Sequence, residues 1–147
     1  MRRVLMDSDI IISAMAKGEA QTPECLAVMR LLIDKRFIGM TTPVLMANVQ
    51  HILGRKWEVK KHMPDRQKVV NAMNILLPLF TMITVDTVDF HASMASRFID
   101  LEDGVQHFAA FRSGKVDAIV TCNTKDFPKD AVKLKVYSPA QFIAELD

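Results

Sequence analysis

Short apolar runs alternate with amphipathic stretches along this 147-residue chain. In the amphipathic stretches, apolar residues recur at helical spacing, as at Leu26, Met29 and Ile33. The apolar runs have the length of buried strands: residues 4–6, 37–41, 82–85, 118–121 and 132–137. Strands that alternate with helices are typical of a parallel sheet between layers of helices. We therefore predict an α/β fold in which residues 1–147 form a single domain.

Glycine, proline and aspartate mark where several of the helices begin and end. Pro43 opens a helix that we expect to end at Gly54. Asp100 is predicted to cap a later helix, which Gly114 closes. Pro139 begins a terminal helix. These positions divide the chain into alternating elements and contain no linker between domains.

The composition is that of a folded globular domain, since half of the residues are hydrophobic and about a quarter are charged. The net charge of +2 is too small to indicate nucleic-acid binding by itself. Residues 69–85 form the longest uncharged stretch, but polar residues interrupt it and it falls short of a membrane span. Asp7 and Asp9 interrupt the first apolar run too early for a signal peptide. We expect a cytoplasmic protein that does not enter a membrane.

Three short acidic clusters lie where predicted strands end or predicted helices begin: residues 7–9, 100–103 and 123–126. Asp7 and Asn123 each follow a buried strand, and ligands of such folds bind beyond the carboxyl ends of the strands. Asp103 falls in the first turn of its helix. Because like charges repel, a fold that gathers these clusters needs a cation between them. Oxygen ligands without cysteine or histidine indicate Mg²⁺ or Mn²⁺.

Each cluster also has an ordinary structural explanation. Asp7 or Ser8 can cap the helix that follows, and Asp100 with Asp103 resembles a capping box. The third cluster has the composition of a common turn. His107 lies one turn after Asp103 on the same helix face, where it can contact substrate, although such histidines are more often structural. Only the three clusters together favour a metal site.

A basic stretch follows the helix that Pro43 opens. Residues 55–68 contain six basic residues and two acidic ones, which favours attraction of phosphate groups. Trp57, the only tryptophan, either stacks on a base or anchors this stretch in the core, and the second reading is slightly favoured. The basic residues that we take as candidates for substrate binding are Arg55, Lys56, Lys60 and Lys61.

Four segments of the chain resemble the PIN-domain nucleases. Residues 4–12 resemble the opening strand and acidic turn of that family. Residues 100–110, which read DLEDGVQHFAA, resemble its central acidic helix. Residues 117–127, which read DAIVTCNTKDF, resemble its closing strand and loop. The tail at 137–146, YSPAQFIAEL, fits a PIN subgroup, so the resemblance spans nearly the whole chain.

The resemblance implies a three-layer PIN-like α/β fold with a central, mostly parallel sheet flanked by helices. It implies cleavage of RNA that depends on Mg²⁺ or Mn²⁺. Many single-domain members of this size are VapC-type toxins, which pair with a small antitoxin protein and usually form homodimers. We therefore expect the toxin component of a toxin–antitoxin pair.

The family's functional positions can be transferred to this sequence by residue type and place. Asp7 and Asp103 match the principal metal-binding acids, and Asp126, or Asn123 beside it, matches the acidic position after the last strand. Asp9 occupies a position that is often asparagine. The resemblance thus implies catalytic roles for Asp7, Asp103 and Asp126, metal ligands at these three and at Asp9 and Asn123, and substrate contacts at Thr121 and Asn48. His107 is added to the candidate substrate contacts because of its place on the helix after Asp103.

One departure from the family pattern leaves alternatives open. Asn48 stands where many members carry a glutamate, and an amide brings no negative charge and cannot act as a base. One alternative is therefore an inactive or weakly active PIN module that binds RNA or protein. A second is a phosphatase of the haloacid dehalogenase type, which also places Asp-x-Asp after a first strand and uses the first aspartate as nucleophile.

Overall fold

A computed structural model gives the structure of the protein and describes residues 1–15 and 22–147. In these ranges the strands are β1 (Arg3–Met6), β2 (Ile38–Thr41), β3 (Glu58–Lys60), β4 (Met63–Pro64), β5 (Phe80–Met82), β6 (Ala118–Val120) and β7 (Lys135–Tyr137). The helices are α1 (Ser8–Met15), α2 (Thr22–Ile33), α3 (Pro43–Lys56), α4 (Arg66–Leu76), α5 (Thr87–Met94), α6 (Leu101–Ser113) and α7 (Pro139–Leu146).

Five of the strands form one sheet, in the order β5-β2-β1-β6-β7, and every pair in it is parallel. The central strand β1 is buried on both faces, because Val4, Leu5 and Met6 are at most 1% exposed. Residues of β1 contribute to both apolar clusters of the core. The predicted central parallel sheet flanked by helices is therefore confirmed.

The order of the strands fixes where a ligand site can form. From β1 the chain continues to β2 on one side, whereas β6 and β7 are added on the other side. The direction of winding thus reverses between β1 and β6, and folds of this type bind ligands at the carboxyl ends of the strands at that point. The N–H of Asp7 donates to the carbonyl of Val120 over 3.0 Å and joins these two strand ends.

The predicted caps of α6 and α7 are confirmed. The Asp100 carboxylate accepts a hydrogen bond from the N–H of Asp103 at 3.1 Å. Gly114 ends α6 with φ of 65°, in the left-handed region that glycine enters without steric cost. Ser138 caps α7 ahead of Pro139. The first turn of α6, which carries Asp103, is thereby held at a defined place.

The predicted end of α3 at Gly54 is wrong. The helix continues to Lys56, and the N–H of Trp57 donates to the carbonyl of Leu53 over 3.0 Å. A glycine costs only about 1 kcal/mol inside a helix, so packing decides the boundary. The segment that follows forms an antiparallel hairpin of β3 and β4, and its strands are too short to show an alternating pattern.

Close packing of α5 against α6 depends on a glycine. A Cβ at Gly104 would overlap the Ser93 hydroxyl oxygen and lie 3.1 Å from the Phe98 Cβ. We expect Gly104→Ala to lower the free energy of unfolding by about 1–3 kcal/mol. At Gly54 the same Cβ would meet only the Pro64 Cβ, at 3.5 Å. Gly54→Ala is therefore the matched control and should add about 0.5–1 kcal/mol.

Urea denaturation of the two glycine variants measures this difference directly. Equal effects of Gly104→Ala and Gly54→Ala would contradict the close approach of α5 and α6. Since Gly104 follows Asp103, the first variant also tests whether α5 sets the position of the acidic turn.

No helix within the described residues is both long and apolar enough to span a membrane.

Candidate active site

The Asp7 carboxylate is fixed by hydrogen bonds on both of its oxygens. Oδ1 accepts the N–H of Ser8 at 2.7 Å, and Oδ2 accepts the hydroxyl of Thr121 at 2.8 Å. Thr121 is completely buried directly after β6. The contact therefore joins the two strand ends through side chains as well as through the backbone, and it holds Asp7 in one orientation.

Asp9 lies in the first turn of α1 and faces the loop after β6. Its Oδ2 accepts the backbone N–H of Cys122 at 3.2 Å and the side-chain amide of Asn123 at 3.1 Å. The hydroxyl oxygen of Thr121 lies 3.5 Å from the same oxygen. Asp7 and Asp9 thus flank one threonine hydroxyl, and the first and third acidic clusters are joined.

The second cluster is brought to the same region by α6. Asp103 is partly buried in the first turn of this helix. Its pKa is raised to about 8, first by burial and then by the negative charges of four other carboxylates: Asp7, Asp100, Asp126 and Asp9. Charges act on one another in this way only at short range. All three sequence clusters therefore converge at the carboxyl end of the sheet.

The carboxylates after β1 show the same mutual repulsion. Burial and the charge of Asp7 raise the pKa of Asp9 to about 7. The pKa of Asp7 is also raised, by burial and to a smaller extent by Asp100, although its hydrogen bonds act in the opposite direction. Burial, Asp100 and Asp7 raise the pKa of Glu102 as well. A nearby positive charge would relieve the cost of ionising all of these groups.

The donor chemistry of the cluster fits Mg²⁺ or Mn²⁺, because it consists of carboxylate, amide and hydroxyl oxygens. Among residues 1–15 and 22–147, however, no group of three or more acidic, histidine or cysteine side chains is close enough together to hold a metal ion. The carboxylates are near enough to shift one another's pKa but not to share one coordination sphere.

Asn48 projects from α3 towards the acidic turn after β1. Its amide on α3 donates to the Ser8 hydroxyl over 3.0 Å, so it contacts the turn between Asp7 and Asp9. The side chain at this position is neutral, so it adds no charge to the neighbouring acids.

One contact of the site region was not anticipated from the sequence. Thr42 caps α3, and its hydroxyl donates over 2.7 Å to Oε1 of Gln106 on α6. This buried contact ties the helix that carries Asn48 to the helix that carries Asp103. In the sequence, only the place of Gln106, three residues after Asp103 on the inner side of α6, indicated that its side chain contacts another element.

The proposed substrate contact of His107 is wrong. Its side chain is completely buried and packs against the ring of Phe98, with 5.3 Å between ring centroids. Nε2 accepts the backbone N–H of Lys133 at 2.9 Å. Burial, followed by the charge of Lys133, lowers the pKa of His107 to about 4, so the imidazole is neutral. His107 holds the loop before β7 and does not face the acidic cluster.

The basic stretch lies along and beyond the end of α3. Arg55 is two helical turns after Asn48, about 10 Å further along the helix axis. It lines an open groove of about 940 Å³ between α3, the hairpin and α4. Trp57 packs against the core, and the Lys68 ammonium lies 4.5 Å from its ring centroid, so the anchoring role preferred for this tryptophan is the one observed. The candidates in this stretch lie at the end of α3 and in the hairpin that follows: Arg55, Lys56, Lys60 and Lys61.

A match between the sequence and one known protein family is consistent with this arrangement of acidic residues. The model of the PIN-domain family matches residues 3–125. This chain belongs to the PIN-domain family. The matched range includes Asp7, Asp9 and Asp103 and ends one residue before Asp126. A comparison with curated proteins finds no significant match.

Solved structures with the same fold include several toxin–antitoxin assemblies. VapBC2 of Rickettsia felis, bound to a DNA fragment from its promoter, matches with a TM-score of 0.62 at 14% sequence identity. The match covers 92% of this chain and 98% of that chain. VapC20 of Mycobacterium tuberculosis, a toxin that cleaves the sarcin–ricin loop, matches with a TM-score of 0.56 at 17% identity, over 87% and 92%. A toxin–antitoxin complex of Klebsiella pneumoniae gives 0.61 at 18% identity, over 92% and 97%. At these identities the similarity establishes the fold.

Proposed function

We propose that this PIN-domain protein is a metal-dependent endoribonuclease that hydrolyses RNA phosphodiester bonds. The observation that carries the proposal is the approach of three acidic clusters, in which the charge of Asp7 raises the pKa of Asp9 and the charges of Asp7, Asp100, Asp126 and Asp9 raise that of Asp103. A protein gains nothing in stability by gathering unpaired carboxylates. Such a cluster is useful where a divalent cation and a phosphate group must be held together.

In this proposal each side chain has a stated task. Asp7 and Asp103 supply the principal negative charges that hold Mg²⁺ or Mn²⁺, with Asp126 and Asp9 beside them and Asn123 offering an amide oxygen. The bound ion supplies Lewis-acid polarisation of the scissile phosphate and screening of the charge that develops there. Thr121 keeps the Asp7 carboxylate oriented, since its hydroxyl donates to Oδ2.

We further propose that the protein is the toxin of a toxin–antitoxin pair. The similar structures include one toxin that cleaves the sarcin–ricin loop and a complex of a toxin with its antitoxin. Their lengths are almost fully covered by this chain. A small antitoxin protein would then be the regulatory partner, and a homodimer the assembly of the toxin itself.

The neutral side chain of Asn48 favours a second candidate, a PIN module with little or no activity. Its amide donates to Ser8 and contributes no charge to the cluster. Such a module would bind RNA or protein without cleaving RNA. Membership of the PIN family argues against the phosphatase of the haloacid dehalogenase type, because the family match includes the Asp7-Ser8-Asp9 turn on which that alternative relied.

The decisive experiment is incubation of a mixed RNA pool with Mn²⁺ and either the native protein or Asp7→Asn. We expect native cleavage, its loss on chelation, and a fall of at least about 100-fold in the variant, since one metal interaction contributes several kcal/mol. Asp34→Asn, at an exposed carboxylate after α2, is the control and should cleave normally.

Equal cleavage by the native protein and Asp7→Asn would contradict the assigned site. Binding of RNA by the native protein without cleavage in Mn²⁺ would favour the inactive module.

A further inference from the structure

A polar groove begins beside the acidic cluster. It is separate from the basic stretch at residues 55–68. It has a volume of about 580 Å³ and lies between the segment after β6 and the start of α7. Its polar lining includes Thr124, Lys125 and Lys129, and its apolar floor includes Phe127 and Leu134. The groove therefore combines positive charge with a partly apolar base.

The groove is joined to the acidic cluster through the chain itself. Thr124, Lys125 and Asp126 form a single turn of 3-10 helix. Asp126 is one of the carboxylates whose charge raises the pKa of Asp103. The first cationic side chain of the groove is thus the immediate neighbour of an acid of the candidate active site.

Three contacts hold the loop that forms the wall of the groove. Asp130 pairs with Arg97. The N–H of Lys133 donates to the buried imidazole of His107. The carbonyl of Pro128 accepts the N–H of Ala131 at 3.0 Å, which closes a turn. Since the loop is tied to the core in this way, a ligand that binds to it does not have to order it first.

Two lysines of this wall are exposed and have no ion-pair partner among the residues that the structure describes. Lys125 and Lys129 are exposed, and within residues 1–15 and 22–147 neither forms an ion pair or a side-chain hydrogen bond. Asp130, the acid nearest to Lys129 in sequence, is taken by Arg97. Lys133 and Lys135 add two more exposed ammonium groups to the same segment. Positive charge therefore continues away from the acidic cluster along one side.

This arrangement differs from that of the basic stretch at residues 55–68. There, Lys68 covers the ring of Trp57 and has a structural contact. Arg55 is about 10 Å along α3 from Asn48. The groove lysines, by contrast, start at Asp126 itself. Cationic side chains therefore directly adjoin an acid of the candidate site along the chain on this side.

We infer that Lys125 and Lys129 bind backbone phosphates of a single RNA strand on one side of the cleaved bond. The inference rests on the proposed ribonuclease function and adds to it the path of the substrate. Ammonium groups on an anchored loop bind phosphate irrespective of base sequence, so these lysines contribute affinity and position the strand. Phe127 and Leu134 provide the apolar surface beneath that strand.

The test is the salt dependence of RNA binding, measured by fluorescence anisotropy with a labelled single-stranded RNA of mixed sequence. The Asp7→Asn protein with Mg²⁺ serves as the background, so that the probe stays intact. In it, Lys125→Gln and Lys129→Gln are each expected to reduce the slope of log Kd against log salt by about 0.7, the value for one phosphate contact of a single strand. Affinity at low salt should fall several-fold in each variant.

Two control substitutions define the comparison. Lys115 is exposed and precedes β6, at the end of that strand away from the acids, so Lys115→Gln should leave the slope unchanged. The double variant Lys60→Gln with Lys61→Gln measures how much the hairpin lysines contribute to the same slope. A slope of log Kd against log salt that stays unchanged in both Lys125→Gln and Lys129→Gln would overturn the inference. A decrease of the slope in Lys115→Gln as large as in the groove variants would also overturn it.

The outcomes separate this inference from the proposed function. If the native protein cleaves RNA while the groove variants bind it with unchanged slopes, the groove assignment fails and the nuclease stands. If the native protein neither binds nor cleaves RNA, the proposed function fails. Competition by a polyglutamate peptide as strong as that by RNA of equal charge would make the groove a protein-docking surface and overturn the RNA assignment.

Discussion

Asp103→Asn is expected to abolish RNA cleavage and at the same time to make the metal-free protein more resistant to heat. The pKa of Asp103 is raised to about 8 by burial and by neighbouring carboxylates. Above that pH the folded protein must hold a charge that the site disfavours. Asparagine has nearly the same shape and no charge, so the substitution removes the repulsion together with the proposed metal-binding charge.

The two effects of Asp103→Asn are measured on the same preparation. Cleavage in Mn²⁺ should fall by at least about 100-fold. Thermal unfolding with chelator at pH 8.5 should show a melting temperature about 3 °C or more above that of the native protein. Asp34→Asn should change neither quantity, because Asp34 is exposed. A lower melting temperature for Asp103→Asn would show that Asp103 stabilises the fold and is not under repulsion.

The metal-free protein is expected to lose stability as the pH rises from 6.5 to 8.5, and a divalent cation should restore it. The pKa of Asp9 is raised from 3.8 to about 7, and that of Asp103 from 3.8 to about 8. The folded state therefore binds these protons more tightly than the unfolded chain does. Their contribution to stability is complete below pH 3.8 and is lost as the pH rises through about 7 and 8.

The choice of pH range avoids an opposing group. Burial lowers the pKa of His107 from 6.5 to about 4, so the contribution of this neutral histidine is present above pH 6.5 and is lost only as the pH falls through about 4. Between pH 6.5 and 8.5 the carboxylates of the cluster determine the expected slope. Asp103→Asn should flatten it, because a carboxylate whose raised pKa lies in this range is then absent.

Mg²⁺ is expected to raise the melting temperature more at pH 8 than at pH 6.5. A ligand at one hundred times its Kd adds about 2.7 kcal/mol to the free energy of unfolding, which corresponds to a shift of about 5–10 °C. Protons compete with the ion at the lower pH, so the shift there is smaller. Differential scanning fluorimetry across this range, with and without Mg²⁺, measures both effects. A Mg²⁺ shift that is equal in the native protein and in Asp103→Asn would contradict metal binding at this cluster.

The strands that could be predicted from the sequence are those buried on both faces. Val4–Met6 and the run at 118–121 are continuous apolar segments next to polar turns, and the structure places them as neighbours in the sheet. Such runs have few alternatives, because exposing them would cost hydrophobic free energy. The hairpin of β3 and β4 was missed since its two- and three-residue strands are exposed and carry no such pattern.

The acids of the candidate site could be predicted from their positions at strand and helix ends. Asp7 follows β1 directly, and Asp103 falls in a turn whose cap at Asp100 was visible in the sequence. From the helical spacing alone, it could not be decided whether His107 contacts substrate or is buried in the core. That distinction was made by the loop containing Lys133, which covers the imidazole.

By itself, the sequence determined the central parallel sheet and the three acidic clusters at its strand and helix ends. Both follow from local patterns, which are apolar runs that must be buried and polar residues that stop them. Only the tertiary structure decided which charges lie together. It placed Lys125 and Lys129 on an anchored wall beside Asp126 and left Arg55 at a distance along α3. The physical reason is that electrostatic forces act through space over a few ångströms, and the separation of residues along the chain does not specify those distances.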